Sequence, residues 1–191
     1  AGCDSVLMLN LRVYDKLVVA MDSLTFACHG DPDFALNYQF QQGSTDTYSV
    51  DFTNTLFAPV SRTRLTSPAT VDIPIPDNAA VRPNIYQGNV TFYDSISGNV
   101  TLPFALELRY NSEVLTQRWN DVLAVRNETY NGGYHFSDFQ WFVNGLPVEG
   151  ATQPYFYDEK GLDMNAEYTA RVTRTDDGVS LLICGIHPTF I

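Results

Sequence analysis

Apolar and polar residues alternate with a period of two through nearly every readable stretch of this chain, which excludes most other architectures. Leu7, Leu9, Leu11 and Val13 alternate with Met8, Asn10 and Arg12. Phe34, Leu36, Tyr38 and Phe40 repeat the pattern, as do Tyr48, Val50 and Phe52. The longest run holds Val100, Leu102, Phe104, Leu106, Leu108 and Tyr110, and a later one holds Ala166, Tyr168, Ala170 and Val172. A period of two turns successive side chains to opposite faces, so each run reads as a strand with one buried face. Shorter runs at Leu24–Cys28, Val122–Val125, Phe136–Val143, 146–148, Tyr155–Tyr157 and 179–184 read the same way. No stretch sustains a helical stripe of apolar residues over three turns. Asn144-Gly145 and Asp177-Gly178 supply the positive φ angles that tight hairpins require, and Pro74, Pro76 and Pro83 make the centre an extended connection. The expectation is an all-β protein.

With 191 residues, 45% of them hydrophobic, the chain suffices for one large or two small domains. A new pattern begins where the run 100–110 ends. This predicts two tandem β-sandwich domains, residues 1–117 and 118–191, the second with the element count of an immunoglobulin-like sandwich. Against 22 acidic residues stand 11 basic ones, for a net charge of −11, and only Lys16 and Lys160 are lysines. That inventory does not build a phosphate-tracking face, so nucleic acid is not an expected partner. The longest apolar runs fall far short of the roughly 20 residues that span a bilayer, so no membrane insertion is expected.

The search for chemistry yields little. The sequence holds no Gly-x-Ser-x-Gly elbow, P-loop, His-Glu-x-x-His or dinucleotide fingerprint. The expectation is a protein that is not an enzyme, with no cofactor and no metal centre. His29 lies in the polar stretch His29-Gly30-Asp31-Pro32-Asp33 and reads as loop; His135 and His187 have no partner at ligand spacing. Asn131-Gly132-Gly133 precedes a strand, not a helix, so it reads as a turn and not as a phosphate cradle. Asp158, Glu159, Asp163, Asp176 and Asp177 leave a calcium site open as an alternative, although they match no EF-hand loop. The cysteines, Cys3, Cys28 and Cys184, show neither zinc spacing nor a Cys-x-x-Cys pair. Cys3 and Cys28 lie on adjacent expected strands, which allows one disulfide and leaves Cys184 unpaired. The alternative is three buried thiols packing as small hydrophobes.

Aromatic residues are in surplus: 12 Phe, 11 Tyr and 2 Trp. Trp141 is expected in the core of the second domain, with Phe142 on the opposite face of its strand. Tyr155-Phe156-Tyr157 alternates sides, so at least one ring faces outward, and Tyr130 and Tyr134 flank the Asn-Gly-Gly turn. Exposed rings stack on sugars and anchor protein interfaces. Tyr130, Tyr134, Tyr155 and Tyr157 are therefore the candidate binding residues; the alternative is that these rings cover a small core or an interdomain contact.

Two segments resemble known proteins. The string Phe139-Gln140-Trp141-Phe142-Val143-Asn144-Gly145-Leu146-Pro147-Val148-Glu149-Gly150-Ala151-Thr152 resembles the strand-C tryptophan segment of immunoglobulin-like modules. Tyr168 matches their tyrosine corner. Ala170 stands where such modules carry the second disulfide cysteine, and Val125 or a neighbour replaces the first. The resemblance is thus to the cysteine-free immunoglobulin-like and PKD-like repeats of bacterial surface proteins. Gly2-Cys3-Asp4-Ser5, followed by the alternating leucines, resembles the closing strand of tandem repeats in secreted proteins of Bacteroidetes. On that resemblance residues 1–14 close a preceding repeat or open the next domain, and neighbouring repeats are expected. The resemblance implies a non-enzymatic module, secreted or on the bacterial outer surface, that serves adhesion through a glycan or protein ligand. Two alternatives stay open: an accessory carbohydrate-binding module of a polysaccharide-degrading system, and a structural spacer without ligand.

Overall fold

The computed structural model describes residues 10 and 12–191. Most of the expected strand 7–13 lies outside the described residues, as does Cys3; Asn10, Arg12 and Val13 are exposed and form no strand. The described chain is all-β, arranged in several sheets. Its strands are β1 (Val18–Met21), β2 (Leu24–Cys28), β3 (Asp33–Gln42), β4 (Thr47–Phe52), β5 (Val60–Arg64), β6 (Thr70–Pro74), β7 (Asn84–Phe92) and β8 (Val100–Arg109). A 3-10 turn at Ser112–Val114 leads into β9 (Leu115–Trp119), β10 (Val122–Val125), β11 (Phe136–Val143), β12 (Leu146–Pro147), β13 (Tyr155–Tyr157), β14 (Tyr168–Arg174) and β15 (Ser180–Leu182).

The alternation dictates what is buried. In β3, Phe34, Leu36 and Tyr38 point inward between exposed Ala35, Asn37 and Gln39; in β8, Phe104, Leu106 and Leu108 do the same. These strands belong to two sheets, β1-β3-β6 and β2-β8-β7-β4-β5. Phe34 lies 6.0 Å from Phe104 and Tyr38 lies 5.1 Å from Phe92, so the two sheets face each other across one aromatic core. Gly88 of β7 pairs with Phe104, and a Cβ there would lie 2.6 Å from its ring, so the bare glycine makes room for the phenylalanine. A second core lies between the sheets β13-β10-β9 and β12-β11-β14-β15. Trp141 fills it, fully buried, 5.9 Å from Phe156, which is itself 5.5 Å from Tyr168. The Trp141 indole donates to the Gln153 carbonyl, and the Tyr168 hydroxyl accepts from the Asp163 amide, both at 2.9 Å.

The turns follow the expectation at one site and depart from it at the other. Asn144 (φ 49°) and Gly145 (φ 76°) both adopt the left-handed region between β11 and β12. Between β14 and β15 only Gly178 (φ 71°) does so. Asp177 stays out of that region, and the connection between Arg174 and Ser180 is longer than a two-residue turn.

The change from one core to the other falls between Leu108 and Tyr110. The expected junction at 117/118 falls inside β9, which pairs with β10. β8 runs on into Tyr110, which forms a parallel bridge with Ile183; the Tyr110 amide donates to Leu182 and the Cys184 amide to Tyr110. This explains a corrected pairing. Cys28 bonds to Cys184 and not to Cys3, and neither is a free thiol. The parallel pairing of β2 with β8 sets Cys28 opposite Arg109, next to Tyr110, and the bridge brings Cys184 alongside; their Cα atoms lie 6.0 Å apart.

A charge cluster stands at the same junction. The Arg174 side chain is fully buried, donates to Asp177 at 2.7 and 3.0 Å, and donates to the Pro83 carbonyl at 2.6 Å. Arg82 reaches Asp177 at 2.9 Å and Asp176 at 3.2 Å. Burial alone would lower the Arg174 pKa; the hydrogen bonds it donates to Asp177 and the neighbouring charges outweigh it and raise it. Asp176 and Asp177 are thus occupied by arginines, and among the described residues no cluster of three or more metal-ligating side chains forms. No helix of the described residues is long and apolar enough to cross a membrane.

Candidate functional site

The sheet β13-β10-β9 turns one face to the second core and the other to solvent. Leu123, Phe156 and Leu115 point inward and are buried. Residues directly opposite in an antiparallel ladder share a face, so the flanking positions point outward together. One row across the sheet is Tyr157, Val122 and Trp119; the next is Tyr155, Ala124 and Thr116. The rings are open: Trp119 is 67% exposed, Tyr157 56% and Tyr155 52%. A bulge between Val122 and Leu123 in this pairing leaves Arg118 as the extra residue and sets Trp119 level with Val122. The free edge of β9 is held by the segment beyond β15. Gln117 exchanges two hydrogen bonds with the backbone of Thr189 (2.7 and 2.9 Å), and Asn120 does so with Ile191 (3.3 and 2.9 Å). Two side-chain amides thereby imitate a strand partner.

At the Thr116 end, this face runs into a concavity of about 470 Å³ lined by Thr116, Arg118, Val125, Arg126, Asn127 and Tyr130. Tyr130 is 68% exposed. Its loop is pinned from within by Asn131, a buried side chain whose amide donates to the carbonyls of Arg126 and Tyr134 and whose oxygen accepts from the Tyr134 amide. Gly132 (φ 90°) and Gly133 (φ 87°) close the turn. The Asn-Gly-Gly stretch is therefore a rigid support for Tyr130.

Of the four tyrosines singled out in the sequence, the structure brings Tyr155 and Tyr157 onto one face and Tyr130 to its end. Tyr134 stands apart. It is half-buried, 5.1 Å from Tyr110 and 5.8 Å from the Arg174 guanidinium, and burial pushes its phenol pKa up. It lines a second concavity of about 700 Å³ at the junction, with His29, Asp31, Asp77 and Asn111 among its walls. There His29 sits 3.0 Å from the Val81 carbonyl through Nε2, and Asn111 donates to the His29 carbonyl, which makes this histidine a loop fastener. Beneath, the Tyr110 hydroxyl is buried without a hydrogen-bond partner among the described residues, and burial raises its pKa. Sequence reasoning missed Trp119, Arg118 and Arg126. The signal was weak: Trp119 sits next to the Asn120-Asp121 turn and reads as a boundary.

Compared with protein-family models, the chain matches none. Compared with curated proteins, it also matches none. Among solved structures it is similar to the YadV chaperone, at 16% identity and a TM-score of 0.36, covering 86% of this chain and 96% of that one. It is also similar to three N-terminal domains of the highly immunogenic outer capsid protein of bacteriophage RB49 (12% identity, TM-score 0.34, covering 90% and 67%). A third likeness is to extracellular cadherin domains 1–4 of protocadherin gamma B7 (11% identity, TM-score 0.29, covering 89% and 49%). At TM-scores below 0.5, these likenesses carry no argument about what this chain does.

Proposed function

We propose that this chain is a non-enzymatic binding module of a secreted or cell-surface protein, built of two β-sandwich domains in tandem, the second immunoglobulin-like. Its ligand contacts run through the outward face of β9, β10 and β13. The observation that carries the reading is the row of open rings, Trp119, Tyr155 and Tyr157, on a face that no other part of the described chain covers. Exposed aromatic rings on a rigid sheet are costly to leave in water and serve as anchors for partners. Export is supported by the disulfide Cys28–Cys184, since such bonds persist in oxidising compartments. The immunoglobulin-like assignment is supported by buried Trp141 and by the Tyr168 hydroxyl bound to the backbone five residues upstream. The adhesive role, the membership among Bacteroidetes surface repeats and the presence of neighbouring repeats follow from the sequence resemblance.

A second reading, a carbohydrate-binding module, is favoured by the composition of the face itself. Tryptophan and tyrosine rings bracketing the small side chains of Val122 and Ala124 suit the apolar faces of sugars better than a protein side chain needing a deep pocket. The test is an array of glycans and matrix proteins probed with the wild-type chain, Trp119→Ala and the double variant Tyr155→Ala/Tyr157→Ala. Signals that fall tenfold or more in the variants support the face as the binding surface. Signals that persist in both variants, or none at all, overturn it.

A further inference from the structure

The arginines beside the aromatic face point to the class of ligand. The ion pairs of the described residues use Arg64, Arg82, Arg109 and Arg174; among the described residues Arg118 and Arg126 have no carboxylate within 4.0 Å. Both are exposed, and both line the concavity of about 470 Å³ with Tyr130, Thr116 and Asn127. Among the described residues no carboxylate lines it. In a chain of net charge −11 with only 11 basic residues, two uncommitted guanidiniums in one concavity form a local exception to the field around them. Guanidinium is the side chain best suited to planar, bidentate recognition of oxyanions.

The position of the concavity adds the second half. Thr116 lines it and also stands in the row Tyr155–Ala124–Thr116, so the arginine site opens directly from the ring-bearing face. A ligand lying on Tyr155 and Tyr157 can extend past Thr116 and bring a negative group between Arg118 and Arg126, with the Tyr130 ring beside it. We infer that the face and the concavity together bind an acidic glycan, its carboxylate or sulfate held by Arg118 and Arg126 while sugar rings lie on Trp119, Tyr155 and Tyr157. This rests on the reading of the aromatic face as the binding surface. The overall negative charge repels polyanions in general, so recognition depends on this local site.

The test is calorimetric titration of the full chain with hexuronate-containing and sulfated oligosaccharides, each paired with its carboxyl-reduced or desulfated counterpart, and with inorganic sulfate and an oligoglutamate peptide. The variants are Arg118→Gln/Arg126→Gln, Trp119→Ala and, for equal charge change elsewhere, Arg62→Gln/Lys160→Gln. The expected result is binding of an acidic oligosaccharide at least tenfold tighter than of its neutral counterpart. That preference should be lost in Arg118→Gln/Arg126→Gln and kept in Arg62→Gln/Lys160→Gln. Equal binding of the neutral counterpart, lost in Trp119→Ala, overturns the acidic class and leaves the aromatic face standing. Binding of inorganic sulfate or oligoglutamate as tight as that of the oligosaccharide overturns the sugar class. An absence of all binding removes both readings.

Discussion

Arg174 shows how one side chain fixes the meeting of the two cores. Its guanidinium is wholly buried, and its partners come from the turn after β14 and from Pro83 before β7. Asp177→Asn would leave that buried charge half-compensated. We expect a loss of about 2–3 kcal/mol in urea unfolding, below the range for fully enclosed pairs because Asp177 is a quarter exposed. The pH dependence has a definite sign. The hydrogen bond from Arg174, with smaller help from the Val179 amide and the charges of Arg174 and Arg82, holds the Asp177 carboxyl below its usual range. The unfolded chain therefore binds this proton first, at about pH 3.9, and the stabilisation is complete above that and lost as pH falls through the folded value. Unfolding curves should show wild-type stability falling more steeply below about pH 4 than that of Asp177→Asn; equal slopes would contradict the assignment. None of this was legible beforehand, because Asp176 and Asp177 read as turn residues or as candidate calcium ligands. Only the fold brings Arg82 and Arg174 to them.

At the scale of elements the sequence was most readable where a period of two meets a single core. Strands at Leu24–Cys28, Val122–Val125, Phe136–Val143 and Tyr155–Tyr157 are found where the alternation puts them, and Asn144-Gly145 turns as its residue types require. What alternation does not encode is which strand lies beside which. The parallel placement of β2 on β8 follows from packing across 80 residues of intervening chain, so Cys28 could not be paired correctly from its neighbours in sequence. The same limit hid Trp119, whose outward position depends on a bulge. Gly88 gives a test at this scale. A methyl group there would meet the Phe104 ring at 2.6 Å and the Asp51 carbonyl at 2.7 Å, and the backbone carbonyl cannot step aside cheaply. Gly88→Ala should destabilise by about 1–3 kcal/mol, seen as a lowered melting temperature. An unchanged value would mean that β7 and β4 part more easily than their pairing suggests.

For the molecule as a whole, two devices tie the two cores: the arginine cluster and the disulfide. The disulfide spans a sequence separation of 156, and constraint of so long a loop in the unfolded chain is worth up to about 5 kcal/mol. Reduction, or Cys28→Ser/Cys184→Ser, should shift the urea midpoint downward accordingly. A non-reducing digest should yield one peptide pair joined through Cys28 and Cys184; recovery of either as a free thiol would contradict the fold at its junction.

The placement of that bond has a mechanical consequence. Tension applied to the chain from before residue 28 and from beyond residue 184 passes from one sulfur to the other and never enters the span between them. Fully drawn out, that span of 156 residues would lengthen the chain by about 500 Å. With the bond intact, none of that length is released. The second core, the aromatic face and the arginine concavity lie between the two cysteines and outside the line of pull, so a molecule stretched in flow would keep the proposed binding surface folded while β1 and β2, with their share of the first core, and the segment beyond Cys184 carry the load.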